Sequence, residues 1–272
     1  MSEDSVFKET SKKLESKDLG IEIPVDLVTL PSRGSVYGPE HPFHNVEETE
    51  IRCMSAKEED LLTSRALIKK GTVVTELLKA CLLNKAVDVD SLLVGDRNAL
   101  LIAIRVSGYG PEYSVRIECP NCGEQFDNSF SLANLKIKRL SIEPTIPNSN
   151  VFSFKLPSSG WDVQFKLFTG ADDLLLSQDA EKRKKMGLQI DNLVTRRLVY
   201  SLTSINGETD KQKISRMVSS LRAGDSLALR RYIDQIEPGV DMNQEAQCKS
   251  CGDSSTVDVP VGPTFFWPDF GQ

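Results

Sequence analysis

The sequence predicts an α+β protein made of two related halves that are joined by one shared site of four cysteines. The main observation is a repeated pentapeptide: CPNCG at 119–123 returns as CKSCG at 248–252, 129 residues further along the chain. Three other short motifs also occur twice, in the same order, before each cysteine pair. Several motifs that recur in one order indicate an internal repeat. We therefore expect a duplication that covers roughly 25–123 and 150–252.

The first repeated motif predicts a turn between two strands. LPSRG at 30–34 recurs as LPSSG at 156–160, and proline and glycine favour a reversal of the chain there. The segments that flank the second copy alternate between apolar and polar residues, as the strands of a β-hairpin do. The apolar positions of this hairpin are Phe152, Phe154 and Leu156 before the turn and Trp161, Val163, Phe165 and Leu167 after it.

The second motif predicts the start of a helix. SAKEEDLL at 55–62 recurs loosely as TGADDLLL at 169–176. Ser55 and Glu58 have the spacing of a capping box, and acidic residues in a first turn interact favourably with the helix dipole. Apolar residues at helical spacing follow this motif in both halves, so we expect further helices there.

The third motif predicts the last helix of each half. GDRNAL, which contains Asp96, recurs as GDSLAL, which contains Asp225, again 129 residues later. Because aspartate is a favoured N-cap residue, we expect Asp96 and Asp225 to cap these helices. The helices should end near Gly108 and Pro238, and the alternating segment 113–117 predicts a strand directly before the first cysteine pair.

The two cysteine pairs together have the composition of a zinc site. Each half supplies only two thiols, whereas a closed tetrahedral zinc site needs four ligands. The glycine after each pair permits the positive φ that such a tight turn requires. We therefore predict that the halves meet and share one structural Zn²⁺, which is held by Cys119, Cys122, Cys248 and Cys251.

Redox-active pairs or local disulfides are the alternative interpretation of these cysteines. A thioredoxin-type pair lies at the N-terminus of a helix, where the dipole lowers the thiol pKa. Here the residues after each pair, 125–127 and 256–259, are typical of strands. The N-terminus lacks the apolar core of a signal peptide, so we expect an intracellular protein with reduced thiols. Cys53 and Cys81 lie among apolar residues and are expected to be core thiols.

Composition and motifs argue against an enzyme, a membrane protein and a broad surface for nucleic acid. The chain has 272 residues and a net charge of −6, whereas phosphate binding requires Lys and Arg. The longest apolar run, 99–104, is too short to cross a bilayer. The sequence contains no Gly-rich phosphate loop and no recognisable catalytic triad. His41 and His44 are expected to be loop residues. Together these observations predict no catalytic residue and no small-molecule substrate.

The ends of the chain differ in composition from the two halves. Residues 1–24 are polar and charged, and they predict a flexible arm. The halves then extend over 25–149 and 150–261, and residues 262–272 form an aromatic tail. This tail either folds back over its own core or binds a partner, since aromatic side chains are frequent hot spots of interfaces. We predict partner binding by Phe265, Phe266, Trp267 and Phe270.

Four segments of the chain resemble a known family: LPSRGSVYG at 30–38, MSAKEEDLL at 54–62, LLVGDRNALLIAIRVSGYGPEYSVRIECPNCG at 92–123, and VPVGPTFFWPDF at 259–270. The chain resembles the baseplate hub and hub-assembly proteins of T-even-like contractile-tailed bacteriophages, over most of 25–270. This resemblance implies a non-enzymatic role in the virion tail baseplate, assembly in the host cytoplasm, and other tail proteins as partners. The protein would be either a virion subunit or an assembly factor. The zinc prediction depends on the cysteines alone.

A zinc-ribbon factor that binds nucleic acid is the alternative function. Such a factor needs a basic face near the cysteine pairs. The candidates for that face are Arg116, Lys136, Lys138, Arg139 and Lys249. The acidic net charge disfavours this alternative, and the run EKRKK at 181–185 is typical of a solvated helix face. We therefore favour protein partners over nucleic acid.

Overall fold

The computed structural model describes residues 5–15, 22–187, 192–259 and 265–266. Within these ranges the chain forms eight α-helices and thirteen strands, which are arranged in five small sheets. This mixture confirms the predicted α+β class. None of the helices in these ranges is both long and apolar enough to span a bilayer.

The first part of the chain places two short strands, a hairpin and four helices before the first cysteine pair. These elements are β1 (Phe7–Lys8), β2 (Lys13–Glu15), β3 (Glu22–Thr29), β4 (Glu48–Arg52), α1 (Ala56–Thr63), α2 (Arg65–Lys70), α3 (Val73–Cys81) and α4 (Val94–Tyr109). A second hairpin carries the cysteines and is followed by a 3-10 turn and a short strand. They are β5 (Glu112–Glu118), β6 (Gln125–Ser131), the 3-10 turn (Leu132–Asn134) and β7 (Lys136–Lys138).

The second part of the chain follows a similar order. Its hairpin and helices are β8 (Phe152–Lys155), β9 (Asp162–Phe165), α5 (Gly170–Lys185), α6 (Leu193–Ser201), β10 (Leu202–Ile205), α7 (Lys211–Ser219) and α8 (Ala223–Ile236). The remaining strands are β11 (Gly239–Asp241), β12 (Asn243–Gln247) and β13 (Ser254–Asp258). The hairpin predicted around the LPSSG turn is therefore confirmed as β8 and β9.

The two hairpins that contain the LPSxG motif have the same strand register. In each hairpin, the residues four and two positions before the leucine of the motif pair with alternate residues of the second strand. In β3 and β4 the pairs are Asp26 with Ile51 and Val28 with Thr49; in β8 and β9 they are Phe152 with Phe165 and Phe154 with Val163. The connections differ, because 30–47 is a long loop whereas 156–161 is a tight turn.

The prediction that Asp96 and Asp225 are N-caps is wrong. Each aspartate is the third residue of its helix, α4 or α8, and is completely buried. Its carboxylate accepts a hydrogen bond from the backbone of the LPSxG turn instead: the N–H of Ser32 donates to Asp96 at 3.0 Å, and that of Ser158 donates to Asp225 at 2.7 Å. Both aspartates therefore hold a distant turn rather than their own helix end, a contact that local sequence cannot show.

The predicted capping box at the start of α1 is confirmed. The Glu58 carboxylate accepts hydrogen bonds from the backbone N–H and hydroxyl of Ser55, at 3.0 and 2.6 Å. Arg52 on β4 also donates to this carboxylate, at 2.6 Å. Burial alone would raise the pKa of Glu58, but the bonds from Arg52 and Ser55 outweigh it and lower the pKa to about 2. The start of α5 repeats this arrangement with Thr169, Asp172 and Lys166.

Helix α4 lies at the centre of the molecule and connects its two parts. Most of its residues are buried, and strand β11 of the second part crosses its first turn. A Cβ atom on Gly95 would lie only 1.9 Å from the carbonyl oxygen of Pro238, so the crossing requires glycine. Strand β11 also pairs with β7 of the first part. The two parts therefore share one hydrophobic core.

The described part of the predicted N-terminal arm lies on the sheet. Strands β1 and β2 pair antiparallel with β3, and Lys8 and Lys12 form ion pairs with Glu48 and Glu50 of β4 at 2.5 Å. Exposed ion pairs of this kind contribute about 0–1 kcal/mol each. The backbone pairing and the burial of Val6 are thus the main contacts that hold the arm.

A candidate metal centre

Each cysteine pair lies in the turn of a two-stranded hairpin. The first pair joins β5 to β6, and the second joins β12 to β13. In the first turn, the N–H of Gly123 donates to the carbonyl oxygen of Cys119 at 2.9 Å, and in the second, that of Gly252 donates to Cys248 at 2.9 Å. Both glycines have a φ of 74°. The predicted strands after each pair are confirmed, and the two turns have one backbone geometry.

The four thiols of these turns converge on one point. All four Sγ atoms lie within 4.8 Å of one another. The distance is 3.8 Å between Cys119 and Cys251, and 3.8 Å between Cys122 and Cys248. Sulfur atoms at about 2.3 Å from the centre of a tetrahedron are about 3.8 Å apart, which is the spacing of a four-thiolate zinc site. The donor set and its spacing therefore fit Zn²⁺.

A disulfide does not fit this geometry, since its sulfur atoms are about 2.05 Å apart. The six cysteines of the chain are free thiols. The pairs also lie in hairpin turns rather than at helix N-termini, so they lack the helix dipole that activates thioredoxin-type cysteines. The structure thus gives no support to the redox alternative.

The thiols of the cluster differ in exposure and in proton affinity. Cys119 and Cys248 are buried, whereas Cys122 and Cys251 are exposed. The backbone N–H groups of Cys251 and Ser250 lower the pKa of Cys248 to about 7. The N–H of Glu124 also favours the Cys122 thiolate, but desolvation and the three neighbouring thiols outweigh it and raise the pKa of Cys122 to about 12. Close thiolates repel one another, and a divalent cation would remove this repulsion.

One comparison with known proteins decides the family. The model of the family described as T4 bacteriophage base plate protein matches residues 28–267. The chain belongs to this family. No curated protein and no solved structure was found to match it. The matched region contains both cysteine pairs and both LPSxG turns.

The two histidines of this baseplate protein are loop residues, as predicted. The ring of His41 stacks on Tyr37 with centroids 4.4 Å apart, and its Nδ1 accepts the N–H of Phe43 at 3.0 Å. His44 lies 2.7 Å from the carbonyl oxygen of Tyr37. Among the described residues, the four cysteines are the one group of at least three residues that is close enough to share a metal ion.

Of the other two cysteines, Cys81 is a core thiol as predicted, whereas Cys53 is only half-buried. Cys81 is completely buried, and desolvation raises its pKa to about 12. The thiol of Cys53 donates to the carbonyl oxygen of Ser107 at 3.2 Å. Because the thiolate is the reactive form, Cys81 is expected to be inert at neutral pH.

The aromatic tail of the baseplate protein is partly inside the molecule. Phe265 and Phe266 are buried, and the ring of Phe265 packs edge-to-face on Tyr113 at 5.4 Å. These two residues thus follow the alternative in which the tail folds back over its own core. Trp267 and Phe270 lie outside the described residues, so partner binding by them stays a prediction.

A buried arginine that sequence reasoning missed holds this part of the tail. The side chain of Arg105 on α4 is completely buried and donates from Nε to the carbonyl oxygen of Phe265 at 2.6 Å. It also donates to the carbonyl oxygens of Gly110 and Glu112, at 2.8 and 3.2 Å. Burial lowers the pKa of Arg105. The sequence did contain a signal for this buried arginine: Arg105 directly follows the apolar run 99–104 and precedes Val106.

The basic residues near the cysteines are largely engaged in contacts within the chain. Arg116 pairs with Asp127 of the same hairpin at 3.0 Å, and Arg139 donates to the carbonyl oxygen of Leu30 at 3.0 Å. Lys138 donates to a carbonyl oxygen of α8. These contacts leave less positive charge for phosphate groups, so the structure does not favour the nucleic-acid alternative.

Proposed function

We propose that the protein is a non-enzymatic structural or assembly component of the tail baseplate of a contractile-tailed bacteriophage, and that it acts in the hub. The match to the baseplate family over 28–267 carries this proposal. The protein would assemble with other tail proteins in the host cytoplasm and take its place in the virion tail. The hub assignment follows from the sequence resemblance.

We further propose that Cys119, Cys122, Cys248 and Cys251 hold one structural Zn²⁺. The support is the sulfur spacing of 3.8 Å and the shared turn geometry of the two hairpins. Structural zinc contributes about 10–16 kcal/mol to folding in zinc-finger peptides, which is as large as the net stability of a typical domain. Four thiolates leave no open position for water or substrate, so such an ion would stabilise the protein and not catalyse a reaction.

We also propose that the chain arose by duplication, with halves over 25–149 and 150–261 between the arm 1–24 and the tail 262–272. The equal hairpin registers, the two buried aspartates that bind LPSxG turns, and the two capping boxes support this. Helices α3 and α6 also have nine residues each and end alike. In the cysteine cluster, the first thiol of each pair lies 3.8 Å from the second thiol of the other, and a local two-fold relation predicts two such equal distances.

For the tail, we propose fewer partner-binding residues than the sequence predicted. Phe265 and Phe266 are buried against the chain's own core, so they have little surface left for a partner. We therefore propose partner contacts for Trp267 and Phe270, because aromatic side chains are frequent hot spots of interfaces.

Deletion of the gene from the phage tests the proposed function. Electron microscopy of infected cells should then show no complete baseplates, and wild-type protein supplied from a plasmid should restore them. Normal tails in the deletion phage would contradict a structural or assembly role. Density for the chain on the tail axis of mature particles would place it in the hub, whereas density at the baseplate periphery would contradict that assignment.

A further inference from the structure

The outer edge of the first LPSxG hairpin is covered by the N-terminal arm. Strand β1 lies antiparallel along β3, with Phe7 opposite Val28. The N–H of Thr29 donates to the carbonyl oxygen of Val6 at 3.1 Å. Under this cover, Val28 has 0% of its surface exposed. The first hairpin thus binds a third strand along the edge of β3.

The same edge of the second hairpin has no partner strand within the described ranges. The sheet has the order β10-β9-β8, and among the described residues no strand pairs with the outer side of β8. Because the registers are equal, Phe154 of β8 takes the position that Val28 takes in β3. At the edge of the first strand, the two hairpins therefore differ in that no described strand lies beside β8.

The backbone of β8 offers hydrogen-bonding groups at this edge. The N–H of Leu156 donates to Trp161 inside the hairpin at 2.9 Å. In an antiparallel pair the inward and outward residues alternate, so Ser153 and Lys155 direct their N–H and C=O groups outwards. Both residues are exposed. The equivalent group in the first hairpin is the N–H of Thr29, which binds the arm.

An apolar surface lies next to this free edge. Phe154 stacks on Tyr232 of α8, with ring centroids 4.4 Å apart, and both side chains are only half-buried. At the equivalent position Val28 is fully covered, and Phe7 of β1 lies directly opposite it. The aromatic pair is therefore the place where an added strand would bury an apolar side chain.

We propose that the free edge of β8 binds an extended segment of another baseplate protein as an additional antiparallel strand. Its backbone pairs with Ser153 and Lys155, and one of its apolar side chains covers Phe154 and Tyr232. Main-chain pairing gives such strand addition its affinity, and the alternate side chains give it specificity. The identity of the partner rests on the proposed function. The arm of a second copy is a weaker candidate, because that arm already lies on β3 of its own chain.

Two substitutions at one position test the proposal. Ser153→Pro removes an outward N–H that the hairpin does not use, and proline is tolerated at such edge positions. Ser153→Ala keeps this N–H and is the matched control. We expect Ser153→Pro to lower the yield of complete baseplates about tenfold or more in a complementation assay, while Ser153→Ala gives the wild-type yield. Circular dichroism and zinc content should be the same for both purified variants.

Hydrogen exchange tests the edge without any substitution. The amides of Ser153 and Lys155 should exchange at least about tenfold more slowly in the purified baseplate than in the free chain. Equal exchange in both states would overturn the proposal, as would wild-type assembly by Ser153→Pro. A dimer of the free chain that Ser153→Pro dissociates would also overturn it, in favour of a second copy. If the gene deletion abolishes baseplates and Ser153→Pro does not, only the edge proposal fails.

Discussion

The buried ion pair at the start of α1 allows a quantitative prediction. Glu58→Gln removes the charge that Arg52 and Ser55 bind in the folded protein. The pKa of Glu58 is lowered from 4.5 to about 2, which corresponds to about 3 kcal/mol of folding free energy when the group is ionised. Because the Glu58 side chain is 1% exposed, solvent screens this interaction little. We expect Glu58→Gln to reduce the free energy of unfolding by about 2–3 kcal/mol at pH 7.

The pH dependence of this effect follows from the sign of the shift. A lowered pKa gives stability that is fully present above the unfolded value of about 4.5 and is lost as the pH falls towards about 2. The difference between Glu58→Gln and wild type should therefore shrink below pH 4.5. Urea unfolding followed by circular dichroism measures it at each pH. Comparison of variant and wild type at the same pH cancels the effect of cysteine protonation on metal binding.

The matched control is Asp60→Asn, which removes a negative charge from an exposed position in the same helix. We expect it to reduce the free energy of unfolding by at most about 0.5 kcal/mol. Equal effects of Asp60→Asn and Glu58→Gln at pH 7 would refute the reasoning, and so would an effect of Glu58→Gln that stays constant from pH 7 to pH 3.

Two further predictions concern packing. Gly95→Ala should destabilise the protein by several kcal/mol or prevent folding, because its Cβ would lie 1.9 Å from the Pro238 carbonyl oxygen. The control Gly224→Ala, in the equivalent turn of α8, should be neutral or stabilising by up to about 1 kcal/mol. Thermal unfolding compares the two variants, and equal melting temperatures would contradict the close approach of Pro238 to α4. Phe265→Ala should reduce the free energy of unfolding by about 3–5 kcal/mol, since the ring is completely buried, whereas Leu175→Ala at a half-exposed position should have little effect. A stable Phe265→Ala variant would show that the tail does not pack on the core.

The parts of the structure that sequence could predict are those encoded by local patterns. The Cys-x-x-Cys-Gly turns contain both thiols and the positive-φ glycine within five residues, so their geometry follows from the motif. The capping box of α1 and the hairpin of β8 and β9 are likewise defined by closely spaced residues. The convergence of the two turns was inferred from ligand number, because each pair supplies half of a tetrahedral site.

The features that sequence could not show depend on contacts between distant residues. Asp96 is of a residue type that is favoured at N-caps, yet its carboxylate binds a turn 64 positions earlier in the chain. The polar arm has few apolar residues, but the free edge of β3 gives its backbone hydrogen-bonding partners. The tail aromatics suit a partner surface as well as a core. Phe265 is buried because Arg105 and Tyr113 lie beside it, a contact across 160 positions in the case of Arg105.

Zinc content per chain tests the central claim most directly. Elemental analysis and native mass spectrometry of the purified protein should give one zinc ion per monomer. The double variant Cys248→Ser/Cys251→Ser should lose the ion and much of its resistance to unfolding, whereas Cys53→Ser should keep one zinc ion. Wild-type protein without zinc, or one ion shared between two chains, would contradict the account in which a single metal centre joins the two halves of one chain.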